Sequence, residues 1–208
     1  MLAAAAFWPK DVFIMTPTVA ALVWFAGLVG WYIIRHPFER NAKKIGVSKS
    51  LFDRRESGLL AIALLGLFAI PAIYAATGFP AALDRPFVPA VAWLGIATMI
   101  AALWVFRRSH VDLGRNWSIS LEVREQHALV KTGIYRFVRH PMYSSFFLLG
   151  LAQMLLLANW FAGLAGIVGA GLLFVFRVRR EEQMMLESFG DEYRSYMTQT
   201  KRIVPWII

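Results

Sequence analysis

The sequence predicts an all-α integral membrane protein with about five transmembrane helices. Hydrophobic residues make up 58% of the 208-residue chain, and its mean hydropathy of +0.54 is too high for an ordinary soluble domain. Its apolar runs have the length that a membrane crossing requires, and its basic residues fall into three blocks between those runs. The number of charges also argues against a simple membrane anchor.

Three apolar runs each come close to the roughly 20 residues of one transmembrane helix. They are Thr16–Ile34, Ser57–Thr77 and Phe87–Phe106. Pro71 predicts a kink in the second run, because proline removes a hydrogen bond from the helix interior. The fourth run, Tyr143–Phe176, holds 34 residues and is too long for one ordinary crossing. Ala158, Asn159 and Trp160 offer a polar turn near its middle, so this run predicts a tight helical hairpin.

The distribution of lysine and arginine predicts the orientation of the chain. Seven of the 22 lie in Arg35–Glu56, seven in Arg107–Met142 and six in Arg177–Ile208, which leaves only Lys10 and Arg85 elsewhere. By the positive-inside rule the three blocks share the cytoplasmic face, with the N-terminus outside and the C-terminus cytoplasmic. Anionic membrane lipids would favour the same arrangement. We expect a bacterial inner membrane protein with no cleaved signal peptide, since the first residues lack a basic segment.

Composition also limits the chemistry. The chain has no cysteine, which excludes disulfides, thiolate zinc sites and a cysteine nucleophile. Its four histidines form no i,i+4 pair and have no cluster of carboxylates beside them, so no metal is predicted. The formal net charge of +9 does not indicate nucleic-acid binding, because the charges follow the membrane topology.

We expect two regions in the chain. Residues 1–106 form an N-terminal three-helix membrane region. Residues 107–208 contain the hairpin at 143–176 and a cytoplasmic tail, and they carry most of the polar motifs. A ligand pocket is therefore expected at the cytoplasmic face, formed by the C-terminal half.

Two polar segments before the hairpin are candidates for this pocket. Gln126–Tyr135 is short and partly extended, and Gly133 permits a turn whose backbone groups could hydrogen-bond a planar heterocycle. Arg139–Tyr143 places a proline in the first turn of the fourth span, so that the helix amides face an anionic group. Arg35-His36-Pro37 repeats the Arg-His-Pro tripeptide without flanking tyrosines, so the tripeptide alone is weak evidence.

The third candidate segment, Arg177–Glu182, leaves the membrane at the end of the last span. Arg177 and Glu181 are four residues apart and share a helical face. A surface ion pair and arginines that extend to the membrane interface would explain these residues equally well. Combined with the other segments, they predict a pocket in which Glu181 accepts an ammonium group and Arg177 binds an anionic substrate.

The order of these motifs resembles the isoprenylcysteine carboxyl methyltransferase family, within the wider group of membrane phospholipid methyltransferases. The resemblance covers roughly the C-terminal half of the chain. It rests on the ordered set Asp112-Leu113-Gly114-Arg115-Asn116-Trp117-Ser118, His127-Ala128-Leu129-Val130, Gly133-x-Tyr135, Arg139-His140-Pro141-x-Tyr143, Glu181-Glu182-x-x-x-Leu186-x-x-Phe189-Gly190-x-x-Tyr193-x-x-Tyr196 and Pro205.

The resemblance implies an enzyme that uses S-adenosyl-L-methionine and a hydrophobic or lipid-like methyl acceptor. It implies that the adenine is lined by His127, Ala128, Leu129 and Val130, and the rest of the cofactor by Tyr135, His140, Pro141, Met142 and Tyr143. Glu181 is implied to bind the amino-acid end of the cofactor, and Arg177 the substrate carboxylate. Arg139 is expected to assist Arg177.

The function predicted in this way is O-methylation of the carboxylate of an isoprenylcysteine-like substrate. N-methylation of an aminophospholipid such as phosphatidylethanolamine and S-methylation of a small thiol are alternatives of the same chemistry. A membrane scaffold without activity is the non-enzyme alternative. The predicted spans hold no charges, which argues against a transporter.

Overall fold

The structure is a computed structural model that describes residues 15–44, 46–50, 53–118, 122–124, 128–205 and 207. Within those residues it contains six α-helices and one pair of short strands. The helices are α1 Pro17–Ala42, α2 Arg54–Leu64, α3 Ile70–Thr77, α4 Pro89–Leu113, α5 Pro141–Leu156 and α6 Trp160–Gln199. The strands are β1 Val47–Ser50 and β2 Glu122–Arg124.

The predicted helical membrane fold is confirmed. In the described part of the chain, four helical stretches are long and apolar enough to cross a membrane. The first stretch is α1, and the second is α2 together with α3. The third is α4 with the short turn that follows it, and the fourth is α6. Helix α5 is also apolar but has only 16 residues. It packs against both α4 and α6 and completes the set of about five.

Helix α1 extends further than its apolar run predicts. The predicted span ends at Ile34, whereas the helix continues past Pro37. In this extension Glu39 lies 3.5 Å from Arg35 and 3.1 Å from Lys43. Ion pairs at i,i+4 spacing stabilise a polar helical turn. The end of the apolar run therefore does not mark the end of the helix.

A π-helical turn lies just before Pro71, where the sequence predicts a kink. Helices α2 and α3 form one continuous helix, interrupted by the wider turn Leu65–Ala69. Pro71 has no N–H to donate to the preceding turn, and a π turn is one way to accommodate such a gap. At this turn the carbonyl of Gly66 accepts a hydrogen bond of 3.1 Å from the buried amide of Gln153 in α5.

A polar turn joins α5 to α6 in the middle of the fourth apolar run. Asn159 caps α6 by accepting a hydrogen bond from the N–H of Ala162 at 2.9 Å. The Asn159 side-chain amide donates to the Pro80 carbonyl and to the Asp84 carboxylate, each at 2.8 Å. The turn is thereby fastened to the connection between α3 and α4.

Glycines let α6 approach its neighbours closely. A Cβ atom on Gly150 of α5 would lie 2.7 Å from the backbone nitrogen of Ile167, and one on Gly66 would lie 2.3 Å from the Ala165 carbonyl oxygen. On α6 itself, a Cβ on Gly166 would lie 3.0 Å from the Cα of Gly150. Membrane helices associate through such close contacts, since lipid is as apolar as their side chains.

We expect Gly150→Ala to lower the free energy of unfolding by about 1–3 kcal/mol, because the added methyl group would push α5 away from the α6 backbone. Gly171→Ala is the matched control, since its Cβ would meet only Phe147, at 3.9 Å. Thermal unfolding in detergent should give a lower Tm for Gly150→Ala than for wild type, and no decrease for Gly171→Ala. Equal Tm values for the two variants would contradict the close packing of α5 on α6.

The predicted basic segments meet at one end of the helical bundle. Strands β1 and β2 pair antiparallel and join the α1–α2 connection to the segment that follows α4. The sequence did not predict this small sheet. The N–H groups of Arg139 and His140 donate to the carbonyls of Lys201 and Arg202, each at 2.8 Å. These bonds join the segment before α5 to the tail after α6.

Candidate functional site

A cavity of about 450 Å³ lies at the end of the bundle where these segments meet. This volume is within the range of about 300–1,000 Å³ that is typical of ligand pockets. Helices α1 and α2 and the π turn contribute an apolar wall. Its members include Trp31, Leu60, Ala63, Leu64, Leu67 and Phe68. The polar wall comes from the segments around the start of α5 and from α6.

Most of the predicted site residues line this cavity. Those in its wall are Leu129, Val130, Tyr135, Arg139, His140, Pro141, Met142, Tyr143, Arg177 and Glu181. His127 lies outside the described residues. Ala128 is exposed and is not part of the wall. Its backbone N–H instead donates to the side-chain oxygen of Asn116, at 3.2 Å, and Asn116 does line the cavity.

Gly133 shapes the loop that leads into the site. Its φ of +61° lies in the left-handed region, which glycine adopts readily. A Cβ at this position would lie only 2.2 Å from a carboxylate oxygen of Asp112. Asp112 accepts a hydrogen bond of 2.7 Å from the N–H of Ile134, and Arg108 pairs with it at 2.7 Å. The end of α4 therefore holds the turn that brings Tyr135 into the cavity wall.

Tyr135 is buried, and its polar groups form hydrogen bonds inside the protein. Its hydroxyl donates to the Ser109 carbonyl at 3.3 Å, and its own carbonyl accepts a hydrogen bond from the Tyr196 hydroxyl. Burial raises the pKa of the Tyr135 phenol well above its usual value. The phenol therefore stays protonated at neutral pH and acts as a hydrogen-bonding wall group.

Glu181 presents a carboxylate to the cavity. The Tyr143 hydroxyl donates to it at 2.9 Å, and Nδ1 of His140 lies 3.9 Å away. The Glu181 side chain keeps 28% of its exposure, and the closest arginine pairing in this region involves its neighbour Glu182. The carboxylate is therefore available to a cationic group of a ligand.

Glu182 has a different role although it is the next residue. Its carboxylate is only 6% exposed and lies 2.9 Å from Arg139 and 2.7 Å from Arg202. Nε2 of His140 approaches it at 3.4 Å. Two guanidinium groups thus share one buried carboxylate. The cluster connects α6 to the segment before α5 and to the tail.

Arg139 is held in place by this cluster. Besides its pairing with Glu182, its guanidinium donates to the carbonyls of Met197 and Thr200. The side chain is 7% exposed. Its Nε and Nη2 donate to Glu182 and its Nη1 to the tail, so Arg139 joins α6 to the tail, and its predicted part in holding a substrate carboxylate stays a prediction.

Arg177 faces the cavity from α6, four residues before Glu181. Its Nε lies 3.0 Å from the carboxylate of Glu56 on α2. Glu56 is fully buried, whereas the Arg177 side chain is 12% exposed. Within the described residues, neither this Nε nor the Glu56 oxygens have a partner in hydrogen-bonding geometry. The contact is thus an ion pair in which Arg177 separates Glu56 from the cavity.

The N-terminal half contributes residues that sequence reasoning missed. Arg35 lines the cavity, although its Arg-His-Pro tripeptide looked uninformative. Its guanidinium lies 5.4 Å from the Trp31 ring and 5.3 Å from the Trp117 ring. The ring N–H groups of both tryptophans are buried without a hydrogen-bond partner in the described part of the chain. The i,i+4 spacing of Trp31 and Arg35 at the end of an apolar run was the available signal.

Part of the chain that forms this cavity matches a known protein family. The family model described as the isoprenylcysteine carboxyl methyltransferase family matches residues 93–187. That range covers most of α4, all of α5, and α6 as far as Glu187. It includes all of the predicted site residues and excludes Arg35 and Glu56.

Individual relatives agree with the family match. A protein-S-isoprenylcysteine O-methyltransferase of Schizosaccharomyces pombe is 32% identical over 47% of this chain and 42% of the relative. The Saccharomyces cerevisiae protein of the same description is 33% identical over 45% of this chain and 40% of the relative. A probable protein-S-isoprenylcysteine O-methyltransferase of Oryza sativa subsp. indica is 28% identical over 56% of this chain and 62% of the relative. The chain thus spans less than two thirds of the length of these relatives.

The fold has a counterpart among solved structures. A structure described as the eukaryotic intramembrane Ras methyltransferase ICMT (isoprenylcysteine carboxyl methyltransferase) superposes with a TM-score of 0.57. The match covers 94% of this chain and 70% of that one at 20% identity, so the likeness is one of fold. The sequence motifs, the family match and the shared fold together make residues 93–187 of this chain similar to the isoprenylcysteine carboxyl methyltransferase family.

Proposed function

We propose that this protein is an S-adenosyl-L-methionine-dependent membrane methyltransferase. Its acceptor in this proposal is the carboxylate of a hydrophobic, isoprenylcysteine-like molecule. The observation that carries the proposal is one cavity that contains Arg177, Glu181 and an apolar wall from α1 and α2. A carboxylate at the end of a lipid chain needs the guanidinium and the apolar wall, and the ammonium group of the proposed donor needs the carboxylate of Glu181.

The cavity wall suits the proposed methyl donor. Glu181 offers a partly exposed carboxylate for an ammonium group, and Leu129 and Val130 offer apolar surface for a heterocycle. S-adenosyl-L-methionine would supply an electrophilic methyl group. The acceptor oxygen would gain this methyl group with its own lone pair while sulfur would keep the electron pair of the C–S bond, and Arg177 and Glu181 would hold the two reactants.

In this reaction the protein is proposed to bind the methyl donor and the acceptor and to orient them toward each other. Arg177 is proposed to hold the acceptor carboxylate, because a guanidinium can orient two oxygens without acting as a base. No proton has to move when a carboxylate accepts a methyl cation, so no general base is required. Orientation and proximity then provide most of the rate enhancement. The buried cluster at Glu182 supports the site by holding the tail against the start of α5.

We also propose an orientation and a membrane. The segments that surround the cavity carry most of the basic residues, which supports a cytoplasmic cavity and C-terminus and an external N-terminus. A bacterial inner membrane is the proposed location. In this proposal residues 107–208 form the methyltransferase core, and residues 1–106 complete the acceptor side of the cavity.

Methyl transfer in native membranes tests the function. Membranes that contain the protein are incubated with S-adenosyl-L-methionine labelled in its methyl group and with N-acetyl-S-farnesylcysteine. We expect a lipid-soluble product whose label is released by mild base, as a methyl ester requires. A base-stable label in phosphatidylethanolamine would indicate N-methylation instead, and a volatile product would indicate S-methylation. Failure to bind either the donor or its demethylated product would favour a scaffold.

A further inference from the structure

The buried ion pair between Glu56 and Arg177 suggests a function for a residue outside the family-matched region. Glu56 lies in the first turn of α2, its side chain is fully buried, and it is 3.0 Å from Nε of Arg177. The cavity wall includes Arg177 but not Glu56. A ligand in the cavity would therefore meet the guanidinium directly and the carboxylate only through it.

We propose that Glu56 is a positioning residue that sets the effective charge of Arg177. The inference rests on the proposed function, in which Arg177 holds the acceptor carboxylate. A guanidinium has five N–H donors, so an approach by Glu56 at Nε leaves donors for a ligand. The negative charge behind the guanidinium offsets part of its positive charge. The acceptor is then oriented without being held too tightly.

The effective charge of Arg177 matters because the negative charge on the acceptor oxygen decreases during the reaction. The acceptor oxygen carries its full negative charge in the ground state and less of it in the transition state, as the new O–C bond forms. An uncompensated guanidinium would therefore stabilise the bound ground state more than the transition state. Such binding lowers the KM without raising kcat, and it slows the bound acceptor's reaction.

A second pair of charges between the same helices provides a control. Arg180 lies 2.9 Å from Asp53, which also joins α6 to the start of α2. This pair is more exposed, with 27% and 47% of the two side chains accessible. Arg180 does not line the cavity. Loss of the Arg180 contact removes an ion pair between α2 and α6 and leaves the Glu56 carboxylate in place beside Arg177.

The test compares wild type with Glu56→Gln, Glu56→Asp and Arg180→Gln in lipid nanodiscs. Two probes are used, N-acetyl-S-farnesylcysteine and its uncharged carboxamide. For Glu56→Gln we expect the acid to bind about tenfold tighter, while the affinity for the carboxamide changes by less than about twofold. With the acid, KM and kcat should both fall, and kcat/KM should change little. Glu56→Asp should shift binding in the same direction by a smaller factor, and Arg180→Gln should not shift it.

The outcomes separate this inference from the proposed function. If wild type shows no methyl transfer to the acid, the proposed function fails, and the comparison of acid and carboxamide binding still tests the charge effect. If wild type is active but Glu56→Gln binds the acid equally or more weakly, the role of Glu56 is overturned. A purely structural role would raise KM and weaken both probes. If Glu56→Gln does not fold, the same criteria apply to Glu56→Asp.

Discussion

Replacement of Arg177 by alanine is expected to abolish methyl transfer while donor binding survives. The guanidinium is the proposed contact of the acceptor carboxylate, and loss of a group that both orients and balances charge typically costs a factor of about 100–1,000 in kcat. Glu181, the proposed contact of the donor, keeps its bond to Tyr143. Calorimetry with S-adenosyl-L-methionine should therefore give a Kd within about twofold of wild type.

The alanine variant also leaves Glu56 buried without its partner, which can cost about 3–5 kcal/mol of stability. Arg177→Lys is the control for this effect, because it keeps the positive charge but lacks the planar fork. We expect Arg177→Lys to remain folded, to bind the donor and to lose most of its activity. Loss of donor binding in the folded lysine variant would contradict the separate roles of Arg177 and Glu181.

Replacement of Glu182 by alanine is expected to destabilise the end of the helical bundle at which the cavity lies. Its carboxylate is shared by Arg139 and Arg202, and its removal leaves two nearby positive charges uncompensated. Breaking a buried pair in this way costs about 3–5 kcal/mol. We expect a lower Tm in detergent and faster tryptic cleavage at Lys201 and Arg202, because the tail loses its anchor.

The adjacent glutamate provides the matched comparison. Glu181→Gln should keep a Tm close to wild type, since this side chain pairs mainly with the Tyr143 hydroxyl. Its affinity for the donor should fall by about 10–100-fold, as expected for a lost hydrogen bond between charged groups. The assigned roles would be contradicted if Glu181→Gln lowered the Tm and Glu182→Ala weakened donor binding without lowering the Tm.

The helical fold was largely predictable because lipid imposes a simple condition on sequence. A span needs an apolar run of defined length, and its backbone must satisfy its own hydrogen bonds. The runs that begin at Thr16, Ser57 and Phe87 all correspond to helices. What the runs could not reveal was the continuation of α1 beyond Ile34, since i,i+4 ion pairs and not apolar residues stabilise that part.

The site was predictable only where its residues lie close together in the chain. Spacing along one helix placed Arg177 and Glu181 on the same face, and both line the cavity. Spacing could not indicate that Glu56 lies against Arg177 from 121 residues away in the chain. Nor could it indicate that Arg139 is occupied by the tail, because that pairing depends on where residues 197–202 fold back.

The amino-acid sequence by itself determined the membrane class, the order of the helices and the family motifs. Each of these depends on hydrophobicity and short-range spacing. Only the tertiary structure distinguished the carboxylate that is paired inside the protein, Glu182 with Arg139 and Arg202, from the Glu181 carboxylate that remains partly exposed. That distinction depends on contacts between segments far apart in the chain, and in a low-dielectric interior such contacts determine whether a charge is neutralised or available.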